Sequence, residues 1–160
     1  MITQERLKSL LCYDADSGIF TRASGVKGAA AGSVAGCISS QGYIIIGVDY
    51  ARHMAHRLAF LYMLGSMPKH QVDHINGIRT DNRWINLRDV TPQVNMQNLT
   101  KGRSGERSNH LLGVTSNKTG WQARIRFDGR PLYLGTFPTP EEAHEAYIKA
   151  KRLLHPGNTL

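Results

Sequence analysis

The sequence predicts an α+β fold with a strand–turn–strand–helix unit near the middle, followed by a small three-stranded antiparallel sheet packed on one helix. Between residues 71 and 98, two short apolar runs flank an Asn76-Gly77 turn pair, and Pro92 can begin the helix that follows. From residue 121 apolar and polar residues alternate, which is the period of a half-buried strand.

The charge balance points to a polyanionic partner. The chain has 160 residues, enough for one ordinary domain or two small ones, and a formal net charge of +8 with a pI near 9.8. Residues 1–99 carry ten basic and seven acidic side chains, net +3, and residues 100–160 carry ten and five, net +5. Such a chain is attracted to nucleic acid, most strongly through its C-terminal part.

Cysteine usage and hydropathy indicate an intracellular protein. Cys12 and Cys37 lie far apart without a second pair, so we expect free thiols in a reducing compartment. No apolar run approaches the roughly 20 residues that cross a bilayer, and the first residues lack a basic-then-apolar leader. We therefore expect neither membrane insertion nor secretion.

Turn residues, caps and apolar periodicity place the elements before residue 70. They are a short helix capped by Thr3, a loop or loosely ordered hairpin over 23–42, a buried strand over 43–48 and a largely buried helix over 53–64.

Four polar side chains stand out in the strand–turn–strand–helix unit. Asp73 and His74 lie on the first strand, predicted over 71–75, Asn86 begins the second, and Asn95 lies near the first turn of the helix. Carboxylate, imidazole and amide groups are costly to bury without partners, so they are unusual for a core. A loop or kink is needed to bring Asp73 and His74 together, because adjacent side chains of a strand point to opposite faces. The group suits one hard metal ion beside one general base.

The chain after residue 99 reads as a linker over 100–110 and then a sheet. In 121–127 the odd positions are apolar and the even ones polar, so one face packs and the other presents Gln122, Arg124 and Arg126. A capping box at Thr139 begins a helix that covers the apolar face. The arginine face is left open for a ligand.

The ββα-metal core of HNH nucleases, particularly the homing endonucleases of bacteriophages, resembles this chain in several motifs. They are Gln71–Gly77, Asp81–Arg83, Asn86–Arg88 and Asn95, with an upstream likeness through Gly42-Tyr43 and His56–Ala59. Asn95 stands in place of the family's third His, a substitution common in the phage branch.

This resemblance implies a role for each polar residue. His74 would be the general base, and Asn86 would orient its ring through the side-chain oxygen. Asp73 and Asn95 would bind one divalent cation, Mg²⁺ or Mn²⁺, because hard octahedral ions keep water and phosphate oxygens as their other ligands.

Other polar residues near this core leave alternatives open. Arg83 and Arg88 are predicted as DNA contacts, with a solvated basic face as the alternative. For Asn82 we favour support of the loop over substrate contact. A structural zinc site is the alternative for three histidines, His53, His56 and His70.

Residues 112–154 resemble the plant ethylene-response-factor (APETALA-two-type) DNA-binding domain, which also occurs appended to phage HNH nucleases. The likeness rests on Gly113-Val114, Trp121, Ala123, Ile125-Arg126, Leu134–Phe137, Glu141–Ala143 and Ala146-Tyr147. The family's run of arginines in the first strand is absent here, where Thr115–Asn117 stand. The resemblance implies that Gln122, Arg124, Arg126 and Tyr133 contact DNA.

Together these observations predict a metal-dependent, homing-type endonuclease that acts on double-stranded DNA. Its domains would be an HNH nuclease domain over 1–99 with the core at about 70–98, the linker, and a DNA-binding domain over 111–160. A homodimer is compatible but not required, and a phage-encoded protein would act in the bacterial cytoplasm. The alternatives are a non-catalytic DNA-binding regulator that retains the HNH fold and a structural-zinc nucleic-acid module.

Overall fold

The chain divides into two compact units, Met1–Thr91 and Pro92–Leu160. The computed structural model describes residues 2–25, 29–97, 111–155 and 157–158, so the predicted linker at 100–110 lies outside the described residues. The unit boundary precedes the expected residue 99 because residues 92–97 group with the second unit, where Gln97 Oε1 accepts a hydrogen bond of 3.1 Å from the Gly157 N–H. Within the described ranges, no helix is long and apolar enough to span a membrane.

The first unit consists of short antiparallel strand pairs around one buried helix. Its elements are α1 (Gln4–Leu10), β1 (Leu11–Tyr13), β2 (Phe20–Arg22), β3 (Cys37–Ile38), β4 (Ile44–Val48), β5 (Ala51–Met54), α2 (Ala55–Leu64), β6 (Gln71–His74), a 3₁₀ helix (Trp84–Asn86) and β7 (Leu87–Val90). The strands pair as β1–β2, β3–β4–β5 and β6–β7. Thr3 caps α1 by accepting a hydrogen bond from the Arg6 N–H, as predicted.

Helix α2 lies at the centre of the first unit's core. Leu58 of α2 packs in one apolar cluster with Leu7 of α1, Ile46 of β4 and Leu87 of β7. The predicted helix over 53–64 is present, but it begins at Ala55 because the preceding residues pair with β4 as strand β5. The core therefore holds the β6–β7 hairpin against α2 and β4.

The second unit contains the predicted three-stranded sheet on one helix. Its elements are α3 (Pro92–Gln97), β8 (Val114–Asn117), β9 (Gly120–Phe127), β10 (Arg130–Phe137) and α4 (Pro140–Leu154). The sheet is antiparallel in the order β10–β9–β8, and Val114 and Ala123 pack with Ala143 of α4 in a buried cluster. The Thr139 side chain caps α4 by accepting from the Glu142 N–H. Because β6–β7 and α3 fall in different units, the ββα-metal arrangement stays a prediction.

Candidate active site

The β6–β7 hairpin places Asp73 and His74 at the end of a paired strand. Asp73 lies opposite Arg88 in the register and His74 opposite Leu87. The backbone turns directly afterwards, since the Gly77 N–H donates to the His74 carbonyl at 2.8 Å. Both Asp73 and His74 are buried, with 7% and 4% of their surface exposed. Two adjacent titratable groups are therefore held inside the protein where a strand gives way to a loop.

Asn82 provides a polar contact to the His74 ring. The Nε2 atom of His74 lies 3.1 Å from Oδ1 of Asn82, and Asn82 is buried. The His74 ring also meets the His56 ring edge-on, with centroids 5.2 Å apart and planes at 90°. Tyr43 packs near both imidazoles, 5.2 Å from His56 and 6.0 Å from His74. Packing and one amide contact thus set the orientation of the imidazole.

Asn86 closes the loop and does not make the predicted contact with His74. Its Oδ1 accepts from the Asn76 N–H at 3.0 Å, and its Nδ2 donates to Asn76 Oδ1 at 3.0 Å and to the Asp81 carbonyl at 2.7 Å. The position of Asn86 in the chain explains why its amide contacts the loop and not His74. Asn86 ends a 3₁₀ helix beside the loop, so the loop's own backbone groups occupy its amide.

Arg88 forms an ion pair with Asp73, which sequence reasoning missed. Its Nη2 and Nε atoms lie 2.6 Å and 2.8 Å from Asp73 Oδ2, and its side chain is only 24% exposed. The alternative of a solvated basic face does not describe Arg88, because its side chain is paired within the hairpin. Its predicted contact with DNA stays a prediction. Cross-strand register explains the pair, since directly opposed side chains share one face of a hairpin. Arg88 therefore neutralises the Asp73 carboxylate.

Arg83 is bound to the loop through Asp81. Its Nε and Nη2 atoms donate to the two carboxylate oxygens at 2.8 Å and 2.7 Å. This contact lowers the pKa of Asp81 to about 2, and Asn76 adds a further hydrogen bond. The Arg83 side chain remains 49% exposed. Its predicted contact with DNA stays a prediction.

His56 is a buried neutral imidazole beside His74. Burial lowers the pKa of His56 to about 4, and the charges of His74 and Arg57 add to the shift. Among the described residues, no hydrogen-bond partner reaches its Nδ1 atom. The sequence signal for this neighbour was its place in the motif His56–Ala59, which the resemblance included.

The lowered pKa of His56 predicts a pH-dependent stability. The unfolded imidazole, with a pKa near 6.5, takes up a proton before the folded one does, so the contribution of His56 is complete above pH 6.5 and falls as the pH drops toward 4. Between pH 7 and 4.5, urea unfolding of the wild type should lose about 2 kcal/mol more than unfolding of His56→Gln. Equal losses in the two proteins would contradict this.

The described residues do not form the zinc site that was the alternative for the three histidines. Among the described residues, no three His, Cys, Asp or Glu side chains gather in a group that could hold a metal ion, which counts against a site of His53, His56 and His70. The buried Asp73 side chain offers carboxylate oxygens. Hard ions such as Mg²⁺ or Mn²⁺ bind through one or two such carboxylates and keep water for the rest of their shell. Asn95 lies on α3 in the second unit, so its pairing with Asp73 stays a prediction.

The sheet of the second unit presents the predicted polar face. Arg124 and Arg126 are exposed on β9, and Arg124 Nη2 donates to Gln122 Oε1 at 2.9 Å. Tyr133 lies opposite Arg124 on β10, is 55% exposed and shares a 2.7 Å hydrogen bond with Thr136. The predicted arrangement of these side chains on one face is confirmed, and their contact with DNA stays a prediction.

Comparison with known proteins identifies the segment that carries these groups. Residues 53–97 match the family model of the HNH endonuclease. This segment is similar to an HNH endonuclease domain over those 45 residues. It contains His56, Asp73, His74, Asn86 and Asn95, so the prediction of an HNH nuclease is confirmed at the level of the family domain.

A solved structure resembles the chain beyond this HNH domain. That structure concerns DNA binding and cleavage by the HNH homing endonuclease I-HmuI. The two chains share 20% sequence identity at a TM-score of 0.45, and the alignment covers 92% of this chain and 88% of that one. A search of curated proteins gave no significant match.

Proposed function

We propose that the protein is a metal-dependent DNA endonuclease of the homing type that hydrolyses phosphodiester bonds. The observation that carries the proposal is the buried pair of Asp73 and His74 at one strand end, inside the segment that matches the HNH endonuclease family. A buried carboxylate held by a guanidinium, next in sequence to a buried and packed imidazole, is a costly arrangement for a core. It suits a site where a base and an anionic ligand must be held ready.

The residues divide the reaction between them. His74 accepts the proton of the attacking water, which makes the water a competent nucleophile. As the family resemblance implies, Asp73 and Asn95 would hold one divalent ion, Mg²⁺ or Mn²⁺. When bound, such an ion stabilises charge on the phosphate and on the departing 3′ oxygen. Asn86 maintains the loop beside the base through its contacts with Asn76 and Asp81. One such site cuts one strand per visit, so a double-strand break needs a dimer or two encounters.

The second unit supplies residence on DNA in this proposal. Its three-stranded sheet and helix support the resemblance to the ethylene-response-factor-type domain, whose sheet face binds DNA. Arg124 and Arg126 would contact phosphates or guanine edges, with Gln122 and Tyr133 beside them. The homing role and a phage origin rest on resemblance alone.

Plasmid cleavage tests the proposal against a non-catalytic regulator. The purified full chain is incubated with supercoiled plasmid, with Mg²⁺, with Mn²⁺ or with a chelator, and nicked and linear products are separated. Metal-dependent nicking is the expected result. Binding that retards the plasmid without any nicking in either metal would support the regulator instead.

Removing the two sheet arginines should weaken DNA binding and flatten its salt dependence. Each phosphate contact contributes about 0.9 to the slope of log affinity against log salt, so Arg124→Ala with Arg126→Ala should lower the slope by about 2. The matched control removes two exposed cations, Lys149 and Arg152, from helix α4. This helix packs on the opposite face of the sheet from Arg124 and Arg126. The sheet-face assignment is refuted if the two double variants bind DNA alike in a salt titration.

A further inference from the structure

The contact between Asn82 and His74 bears on which ring nitrogen carries the proton. Asn82 Oδ1 can only accept a hydrogen bond, so a hydrogen bond over the 3.1 Å to His74 Nε2 requires the proton on Nε2. The Asn82 amide is oriented by its Nδ2 atom, which faces the Thr80 carbonyl at 3.5 Å. In a neutral imidazole with the proton on Nε2, Nδ1 is the basic nitrogen. A general base needs its proton-accepting nitrogen defined in this way.

Asn82 is held from a distant part of the sequence, the β1–β2 hairpin. The hydroxyl of Tyr13 donates to the Asn82 carbonyl at 2.6 Å, across 69 residues of chain. The Trp84 N–H donates to the Ala15 carbonyl at 2.9 Å. Two hydrogen bonds therefore join the hairpin to the loop, one at Asn82 itself and one two residues later at Trp84.

Gly18 brings the hairpin turn directly against the loop backbone. A Cβ atom at Gly18 would lie 2.3 Å from the Arg83 nitrogen and 2.4 Å from the Asn82 carbonyl carbon. Both are backbone atoms, which cannot rotate away as a flexible side chain can. Gly18 also has φ +74°, a conformation that favours glycine. The turn is fixed at its other end by Asp14, which accepts hydrogen bonds from the Asp16 N–H and the Ser17 hydroxyl.

We propose that Asn82 is the positioning residue that sets the tautomer of His74, and that the β1–β2 hairpin holds Asn82 in place through Tyr13 and Gly18. The inference rests on the proposed function for its catalytic meaning. Its structural content, a His74 protonated on Nε2 because of Asn82, can be measured without any cleavage. The first hairpin is thus a functional part of the nuclease site, although it lies outside the segment that matches the family.

The test measures the tautomer of His74 in the full chain by long-range ¹H–¹⁵N correlation NMR. The wild type should show the proton on Nε2. Asn82→Ala should give a mixture of tautomers and a fall in nicking rate of about 10-fold to 100-fold at unchanged DNA affinity. Asn82→Asp keeps an accepting oxygen, so it should restore the Nε2 proton.

Glycine variants test the contribution of the hairpin with a matched control. Gly32 has φ +76°, much like Gly18, but a Cβ there would meet no atom within 4 Å. Both Gly18→Ala and Gly32→Ala should lower Tm through the strain of a positive φ, and Gly18→Ala should lower it further through the clash with the loop backbone. Only Gly18→Ala should disturb the His74 tautomer. Tyr13→Phe removes the hydroxyl and keeps the ring stacked on Phe20, so it tests the same point if Gly18→Ala fails to fold.

The outcomes separate the two proposals. An unchanged His74 tautomer in Asn82→Ala would overturn the positioning role, whether or not the protein cleaves DNA. The role of the hairpin would be overturned if Tyr13→Phe left the His74 tautomer unchanged and Gly18→Ala and Gly32→Ala had the same effect on that tautomer. A protein that cleaves no DNA but shows the expected tautomers would reject the nuclease proposal and leave the Asn82 assignment standing.

Discussion

Replacing His74 by Ala should reduce DNA nicking by about 10³-fold or more while DNA affinity stays within twofold of the wild type. The reason is that His74 is the buried imidazole next in sequence to Asp73, on the paired strand β6. A positioned base contributes about 10² to 10⁴ to a rate, so its loss should lower the nicking rate by a factor of that size. The measurement is single-turnover nicking of supercoiled plasmid, with binding followed separately in a chelator.

A second histidine provides the control for this variant. His70 lies just before β6, and its side chain is 49% exposed, so His70→Ala removes an imidazole from the same region without opening the core. It should cleave at a rate close to that of the wild type. Imidazole added to His74→Ala should restore part of the activity if the missing group acts as a base. Undiminished cleavage by His74→Ala would reject the assigned mechanism.

Replacing Asp73 by Asn should abolish metal-dependent nicking and also destabilise the fold. The change removes the anionic metal ligand, and it leaves the mostly buried Arg88 guanidinium without its counter-ion. Breaking a buried ion pair from one side costs about 3–5 kcal/mol, and the partial exposure of Arg88 reduces the expected loss to about 2 kcal/mol. Urea unfolding measures the stability, and Mn²⁺ binding followed by electron paramagnetic resonance measures the metal site.

A double variant separates the two effects of this change. Asp73→Asn with Arg88→Gln removes both charges, so it should regain most of the lost stability and still bind Mn²⁺ weakly and cleave no DNA. If the double variant recovers cleavage together with stability, Asp73 is only the counter-ion of Arg88. If neither variant changes Mn²⁺ affinity, Asp73 is not a metal ligand.

The elements of both units follow closely from local signals. Thr3 and Thr139 cap the predicted helices, and the alternation over 121–127 became β9 with its arginines on the exposed face. These features depend on side-chain period and on caps within a few residues, which a single sequence displays directly. The sequence did not predict strand β5, because its pairing with β4 is a tertiary contact. The many apolar residues of 53–64 indicated a helix for that whole range instead.

The contacts at the site followed less well from the sequence. Motif spacing picked out Asp73 and His74, and both are buried on strand β6, but no loop or kink brings them together as the sequence predicted, because both residues stay in the paired strand. It did not reveal that Arg88 pairs with Asp73, because that contact depends on hairpin register. It also assigned the contact with His74 to Asn86, although both Asn82 and Asn86 lie on the same loop and only the fold of that loop distinguishes them.

By itself, the sequence determined the basic character of the chain, most of its elements and the residues that carry the HNH motif, because composition, period and spacing are local properties. Only the tertiary structure decided which amide faces His74, what neutralises Asp73 and how Tyr13 and Gly18 reach the loop. These contacts depend on the register of paired strands and on close packing across long stretches of chain. No pattern within a short window records them.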